Sequence, residues 1–207
     1  MAKFMLGTKG KMTQVFDEAG AVHAATIVNA GPLTIVQQKT KEKDGYDAVQ
    51  VGFGSRKEKN VSAPEKGHLK DLSMARVLRE FPPPAGGEGE AKRGDSINIS
   101  IFVPGDVVAV SAISKGKGFQ GVVKRHGFHG GPRSHGQKNK ERAPGSIGGG
   151  ARAGARVAKG MRMGGRMGGD RVTVSNLKVL QVDAASNTLV ISGAIPGRPG
   201  TLVEIRG

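Results

Sequence analysis

Residues 115–171 read KGKGFQGVVKRHGFHGGPRSHGQKNKERAPGSIGGGARAGARVAKGMRMGGRMGGDR. Of these 57 residues, 14 are Lys or Arg and only Glu141 and Asp170 are acidic, so the stretch carries +12 of the chain's formal +15. It also holds 17 of the 34 glycines. Its Val, Ile, Leu and Phe side chains number six: Phe119, Val122, Val123, Phe128, Ile147 and Val157. So few apolar groups do not offset the entropy of ordering the backbone, and repulsion among the cations opposes compaction further. The stretch predicts a segment ordered by a large, strongly anionic partner and not by a core of its own.

The other 150 residues carry only +3 and must supply the core. That length suffices for one sizeable domain. The absence of cysteine excludes a disulfide scaffold and a thiolate metal site. The N-terminal MAKFMLG is too short and soon too polar for a signal peptide. No apolar run approaches the ~20 residues that span a bilayer. The expectation is a soluble, intracellular protein. A pI near 10.4 points to nucleic acid or an anionic membrane surface. The membrane reading is the weaker, because glycine interrupts the basic stretch too often for an amphipathic helix.

Outward from the stretch, both flanks read as β. Upstream, Ile97, Ile99 and Ile101 alternate with polar residues, and 107–113 is a further strand after the turn at Pro104-Gly105-Asp106. Downstream, strands are expected over 172–182, 188–192 and 201–205. Residues 1–53 give short strands at 12–16, 21–29, 33–39 and 46–53, with turns at Gly31-Pro32 and Asp44-Gly45. Closely spaced turns of this kind predict a small barrel or sandwich. Between these β regions, Met74, Val77, Leu78 and Phe81 fall at i, i+3, i+4 and i+7 and predict a helix stopped by Pro82-Pro83-Pro84. Residues 54–66 and 85–95 read as loops. The expected organisation is a β body over 1–114 and 172–207, a helical insertion at about 55–95, and a basic extension over 115–171. Strands on both sides place the two ends of the extension close together. At ~3.3 Å per residue out and back, 57 residues reach about 90 Å at most, a length suited to penetrating a folded RNA.

The extension offers several motifs. Gly116, Gly118 and Gly121 match G-x-G-x-x-G, but the following segment is too short and glycine-broken for the helix a Rossmann site requires, and no kinase motifs accompany it. Flexible backbone presenting Lys115 and Lys117 to phosphate is the preferred reading. His126, His129 and His135 lack a fourth metal ligand apart from Glu141 and sit among Lys124, Arg125, Arg133 and Lys138, a field that repels cations; base stacking or bonding to phosphate and ribose suits them better. Ser134, His135 and Glu141 have neither nucleophile elbow nor oxyanion hole. No catalytic residue, metal or cofactor is expected. Arg152, Arg156, Lys159, Arg162 and Arg166 recur every three or four residues, and guanidinium forks grip phosphate and stack on bases. With Lys140 and Arg142 they complete the expected RNA-binding set. The competing classes are a nucleotide-binding enzyme using the Gly116 to Gly121 loop and a free architectural DNA-binding protein.

Five segments together resemble one family: GTKGKMTQVF at 7–16, SKGKGFQGVVKR at 114–125, His135-Gly136, RAPGSIG at 142–148, and GMRMGGRMG at 160–168 running into VTVSNL at 172–177. They are similar, in order across nearly the whole chain, to the universal large-subunit ribosomal protein number three in its bacterial form. The resemblance implies a mainly β fold: a small β-barrel of translation-factor type with a short helical insertion and a long irregular internal extension. It implies binding of 23S rRNA early in subunit assembly. It implies an extension directed toward the peptidyl-transferase centre, with its tip around 142–156, and neighbours among the large-subunit proteins, fourteen and nineteen in the usual count. The implied location is the large subunit of the cytoplasmic ribosome, with no membrane and no small-molecule substrate. Some bacterial members carry a methylated Gln directly after the Gly-Ser-Ile-Gly segment; Gly149 stands there, so that modification is not expected.

Overall fold

Alternation of apolar and polar residues builds six strands into a closed antiparallel barrel. A computed structural model describes residues 3–17, 20–83, 92–149, 154 and 156–207. The chain forms two compact units, Met1–Ile113 with Arg171–Gly207, and Ser114–Asp170. In the first unit the strands are β1 (Phe4–Phe16), β2 (Val22–Asn29), β3 (Leu33–Lys39), β4 (Ala48–Ser55), β5 (Ala75–Phe81), β6 (Ser96–Ile97) and β7 (Val107–Ile113). The second unit holds β8 (Phe119–Gln120) and β9 (Gly165–Arg166), and the first resumes with β10 (Arg171–Asp183), β11 (Thr188–Ser192) and β12 (Leu202–Arg206). The barrel order is β1-β12-β7-β10-β11-β2.

Inward residues of these strands fill the barrel: Met5, Val28, Val110, Val179, Leu189, Ile191, Val203 and Ile205 are all buried. β1 and β10 are each 13 residues long and serve two neighbours. The first half of β1 pairs with β12 and the second with β2, with a register shift between Lys9 and Met12. β10 pairs first with β7 and then with β11, with a shift between Val174 and Leu177. Such shifts bend a strand sharply, which closing a small barrel demands. Buried Thr26 is satisfied by donating Oγ1–H to the Gly193 carbonyl at 2.7 Å.

β3 and β4 leave the barrel for a second sheet, ordered β5-β4-β3-β6. It shares one core with the barrel, in which Phe4, Leu6, Leu33, Val49, Phe81, Ile99 and Phe102 meet. Phe4 stacks on Phe81 with ring centroids 4.4 Å apart. The turn at Asp44-Gly45 is a single helical turn, α1 (Lys41–Asp44), closed by Gly45.

Two expectations are corrected. The helix expected through Met74, Val77, Leu78 and Phe81 is strand β5, in register with β4 as Phe53 with Val77 and Val49 with Phe81. Strand geometry places Phe81 against Phe4, a contact a helix at this position would forgo. The helix of this region lies earlier, at α2 (Ala63–His68), and begins inside the 54–66 segment read as loop; there the Ser62 N–H donates to the Glu65 carboxylate at 3.2 Å. The alternation at Ile97, Ile99 and Ile101 does not continue as strand either. β6 ends at Ile97, and Ile99–Ile101 form a 3₁₀ turn that buries Ile99. The Gly/Glu-rich loop expected at 85–95 lies partly outside the described residues, at 84–91. Among the described residues no helix is long and apolar enough to cross a membrane.

Candidate nucleic-acid interface

Ser114–Asp170 begins and ends on a hydrogen-bonded neck. The Ser114 N–H donates to the Asp170 carbonyl at 2.8 Å, and the Asp170 N–H donates to Ser114 Oγ at 3.3 Å. Lys117 N–H then donates to Met167 O, and Met167 N–H to Gly118 O, both at 2.9 Å. β8 and β9 continue the ribbon, pairing Phe119 with Arg166 and Gln120 with Gly165. The ribbon needs glycine at 168: its φ is +73°, and a Cβ there would overlap the Lys115 carbonyl. The close backbone approach explains part of the glycine enrichment at this end of the stretch.

Beyond β8 the chain turns into α3 (Val122–His126), which ends at Gly127. Val122 is the one buried side chain among the described residues of this unit. Arg125 and His126, on the last turn of α3, are half-buried and converge on one acceptor. Arg125 Nη1 donates to the Met163 carbonyl at 2.8 Å, and His126 Nε2 lies 2.9 Å from the same oxygen. These two groups therefore tie α3 to the returning strand. The His126 and Phe128 rings sit 5.9 Å apart.

A second clasp organises the loop beyond. Gly131 N–H donates to the Glu141 carbonyl at 2.8 Å. Gly130, at φ +81°, passes so close that a Cβ would overlap that carbonyl. Arg133 Nε donates to Glu141 Oε1 at 2.6 Å, the one ion pair among the described residues of this unit. Glu141 thus holds the loop with both backbone and side chain. Its signal in the sequence was its isolation, the single acid between Asp106 and Asp170. This loop encloses a hollow of about 700 Å³, lined among others by Phe128, His129, Pro132, Gln137, Lys140 and Pro144.

The remaining cations are solvent-facing. Lys115, Lys117, Lys124, His129, Arg133, His135, Lys138, Lys140, Arg142, Arg156, Lys159, Arg162 and Arg166 are all exposed. Arg152 lies outside the described residues, as do residues 150, 151, 153 and 155. Gly149, where the methylated Gln would stand, is exposed. Among the described residues, no three His or carboxylate groups gather as a metal site requires. The G-x-G-x-x-G segment runs through β8 into α3, which is only five residues long.

The unit is therefore a narrow-necked arm with almost no core and a cationic surface, a combination that suits a polyanion. Residues 92–206 match the family Ribosomal protein L3. The chain is 47% identical over 206 residues to a Large ribosomal subunit protein uL3 of Herpetosiphon aurantiacus, covering 99% of this chain and 96% of that one. It is 46% identical over 210 residues to the uL3 of Finegoldia magna, covering 99% and 97%. It is 48% identical over 206 residues to that of Deinococcus radiodurans, covering 99% and 94%.

Proposed function

The chain belongs to the Ribosomal protein L3 family, and on that premise we propose that residues 114–170 are a penetrating arm that binds large-subunit (23S) rRNA. As a family member the protein is a structural constituent of the large subunit of the cytoplasmic ribosome. The observation that carries the proposal is the contrast among the described residues of the arm: one buried side chain, Val122, against thirteen exposed Lys, Arg and His groups. A segment so built gains its order where phosphates crowd. There each cation releases condensed counterions, and glycine lets the backbone approach closely.

Within this reading the exposed Lys and Arg neutralise phosphate, while Arg125 and His126 set the shape of the arm through Met163. His129 and Lys140 border a hollow able to receive an unstacked base, and Phe119, 79% exposed, offers a stacking face. The tip around 142–156 points toward the peptidyl-transferase centre, with peptide-bond chemistry left to RNA. The chain binds rRNA early in subunit assembly and neighbours large-subunit proteins fourteen and nineteen.

The test replaces residues 115–169 by a short glycine linker, keeping Ser114 and Asp170. The expected result is a body that still melts cooperatively and rRNA binding at least 100-fold weaker. In the full chain, log K should fall steeply with log salt, by roughly 0.7–0.9 per phosphate contact. Equal affinity for duplex DNA would favour an architectural DNA-binding role. Saturable nucleotide binding with a shallow salt dependence would favour an enzyme.

A further inference from the structure

One cationic cluster is built from residues of the body unit, Arg171 among them. Along β12, Val203 and Ile205 face inward, while Glu204 and Arg206 face the other way. Glu204 is paired by three arginines from three strands. Arg79 of β5 places Nε 3.2 Å from Oε1. Arg171 of β10 donates Nη2 to Oε2, and Arg206 Nη2 lies 4.0 Å from that same Oε2. The Glu204 side chain is only 14% exposed, whereas those of Arg79, Arg171 and Arg206 are 49%, 52% and 48% exposed.

A single guanidinium can satisfy a carboxylate through two parallel bonds. Three of them around one carboxylate leave a local surplus of +2, each guanidinium half-exposed and within 4.0 Å of the Glu204 carboxylate. The side chains are also preorganised. Arg206 lies over the Phe81 ring, 5.3 Å from its centroid, and Phe81 is buried. Arg79 Nη1 is fixed on the Leu78 carbonyl at 3.1 Å. Arg171 is where the chain re-enters the barrel, its position set by pairing with Ile113. Fixing the forks in advance lowers the entropy lost on binding, and their planar donors match phosphate oxygens.

We propose that Arg79, Arg171 and Arg206, gathered by Glu204, form a second RNA contact on the body that receives a backbone phosphodiester. The proposal rests on the reading of the chain as an rRNA-binding protein. Its residues belong to the body and would anchor it directly. Glu204 acts as a positioning residue: it collects the three forks while leaving their outward N–H groups for the ligand.

The experiment measures binding of the full chain to intact 23S rRNA across a salt series. Arg79→Gln with Arg206→Gln should weaken binding 3- to 10-fold and flatten the salt slope by about one phosphate contact, 0.7–0.9. Lys41→Gln with Lys43→Gln, an equal loss of charge in α1, should leave the slope unchanged. Equal flattening in both pairs would reduce the effect to net charge and overturn the proposal. Glu204→Gln keeps all three arginines and an amide oxygen to gather them while removing the competing negative charge; it should tighten binding 2- to 5-fold and steepen the slope. If it lowers the melting temperature without tightening RNA binding, the cluster is only a brace between β5 and the barrel, and the proposal falls. Competition by oligo-glutamate as effective as by an RNA oligonucleotide of equal charge would assign the cluster to an acidic protein and likewise overturn it. Absence of salt-dependent rRNA binding in the unaltered chain would sink the underlying reading; an unchanged slope in the arginine variant alone sinks only this one.

Discussion

Ser114 and Asp170, 56 residues apart, exchange two hydrogen bonds, one through the backbone at 2.8 Å and one through the Ser114 hydroxyl at 3.3 Å. One step further out, Ile113 pairs with Arg171 as the last rung between β7 and β10. The barrel thus sees the whole arm as a long hairpin connection. Loop-closure entropy grows only logarithmically, about 0.6 kcal/mol for each doubling of length. Replacing residues 128–161 by a short glycine linker, which roughly halves the arm, should change the body's unfolding free energy by less than about 1 kcal/mol. Urea denaturation followed by far-UV circular dichroism checks this; a loss of several kcal/mol would show that the arm supports the body.

The ribbon at the neck should fail with one substitution. Gly168→Val combines a β-branched side chain at φ +73° with overlap on the Lys115 carbonyl. The backbone conformation alone costs about 1–2 kcal/mol. Hydrogen exchange at the Lys117 and Met167 amides should accelerate at least tenfold, and rRNA affinity should fall. The barrel's melting curve should stay in place.

Val122→Ala removes two methyl groups from the single buried side chain among the described residues of the arm. At about 0.8 kcal/mol per buried carbon the loss is roughly 1.5 kcal/mol, enough to unfold a structure with so little else buried. Amide exchange in α3 is the readout. No change there would mean that the Met163 clasp by Arg125 and His126 suffices on its own.

Phe81→Ala addresses the body. Phe81 is buried, stacks on Phe4 and underlies Arg206. Its loss should cost about 3–5 kcal/mol, measurable as a large downward shift in the urea midpoint.

Stability should decline in acid. The Lys3 ammonium, 2.5 Å from Asp106, together with the Val103 N–H, holds the Asp106 carboxyl below its ordinary value of 3.8. Ser186 does the same for Asp183, and Lys39 with Tyr46 and Gln50 for Glu80, below 4.5. Each carboxylate binds its proton less readily folded than unfolded. The stability they supply is therefore present above the unfolded pKa and is lost as pH falls through the depressed folded value. Lys39 behaves oppositely: hydrogen bonding to Glu80 and Tyr46 raises it above 10.5, so its contribution is complete below that pH and is lost as pH climbs through the folded value. Urea midpoints between pH 2 and 5 should drop for the parent chain and drop less steeply for Asp106→Asn, which leaves Asp183 and Glu80 in place.

Much of this was legible in the sequence because the β signals were local. The stretches 33–39, 107–113 and 188–192 coincide with β3, β7 and β11, where bounding turns and β-branched residues agree. The charge asymmetry marked the arm for the same reason: composition needs no partner to be read. β5 was misread because Met74, Val77, Leu78 and Phe81 carry helical spacing by coincidence, and pairing with the open side of β4 outweighed it. That pairing joins residues such as Val49 and Phe81 and leaves no trace in either segment alone. The Glu204 cluster was invisible likewise, since its three arginines come from positions 79, 171 and 206 and converge only when three strands assemble. The clasps on Met163 and Glu141 depend on main-chain carbonyls, which residue types do not announce.

The closed barrel also bears on how the free protein behaves at high concentration. A sheet without a bare margin gives a second copy nothing to template on, so strand addition to the body must begin at β5 or β6, the two outer members of its second sheet. β6 is only two residues long, and β5 is guarded by exposed Arg76 and Arg79, so both sites resist the aggregation to which β-rich chains are otherwise prone.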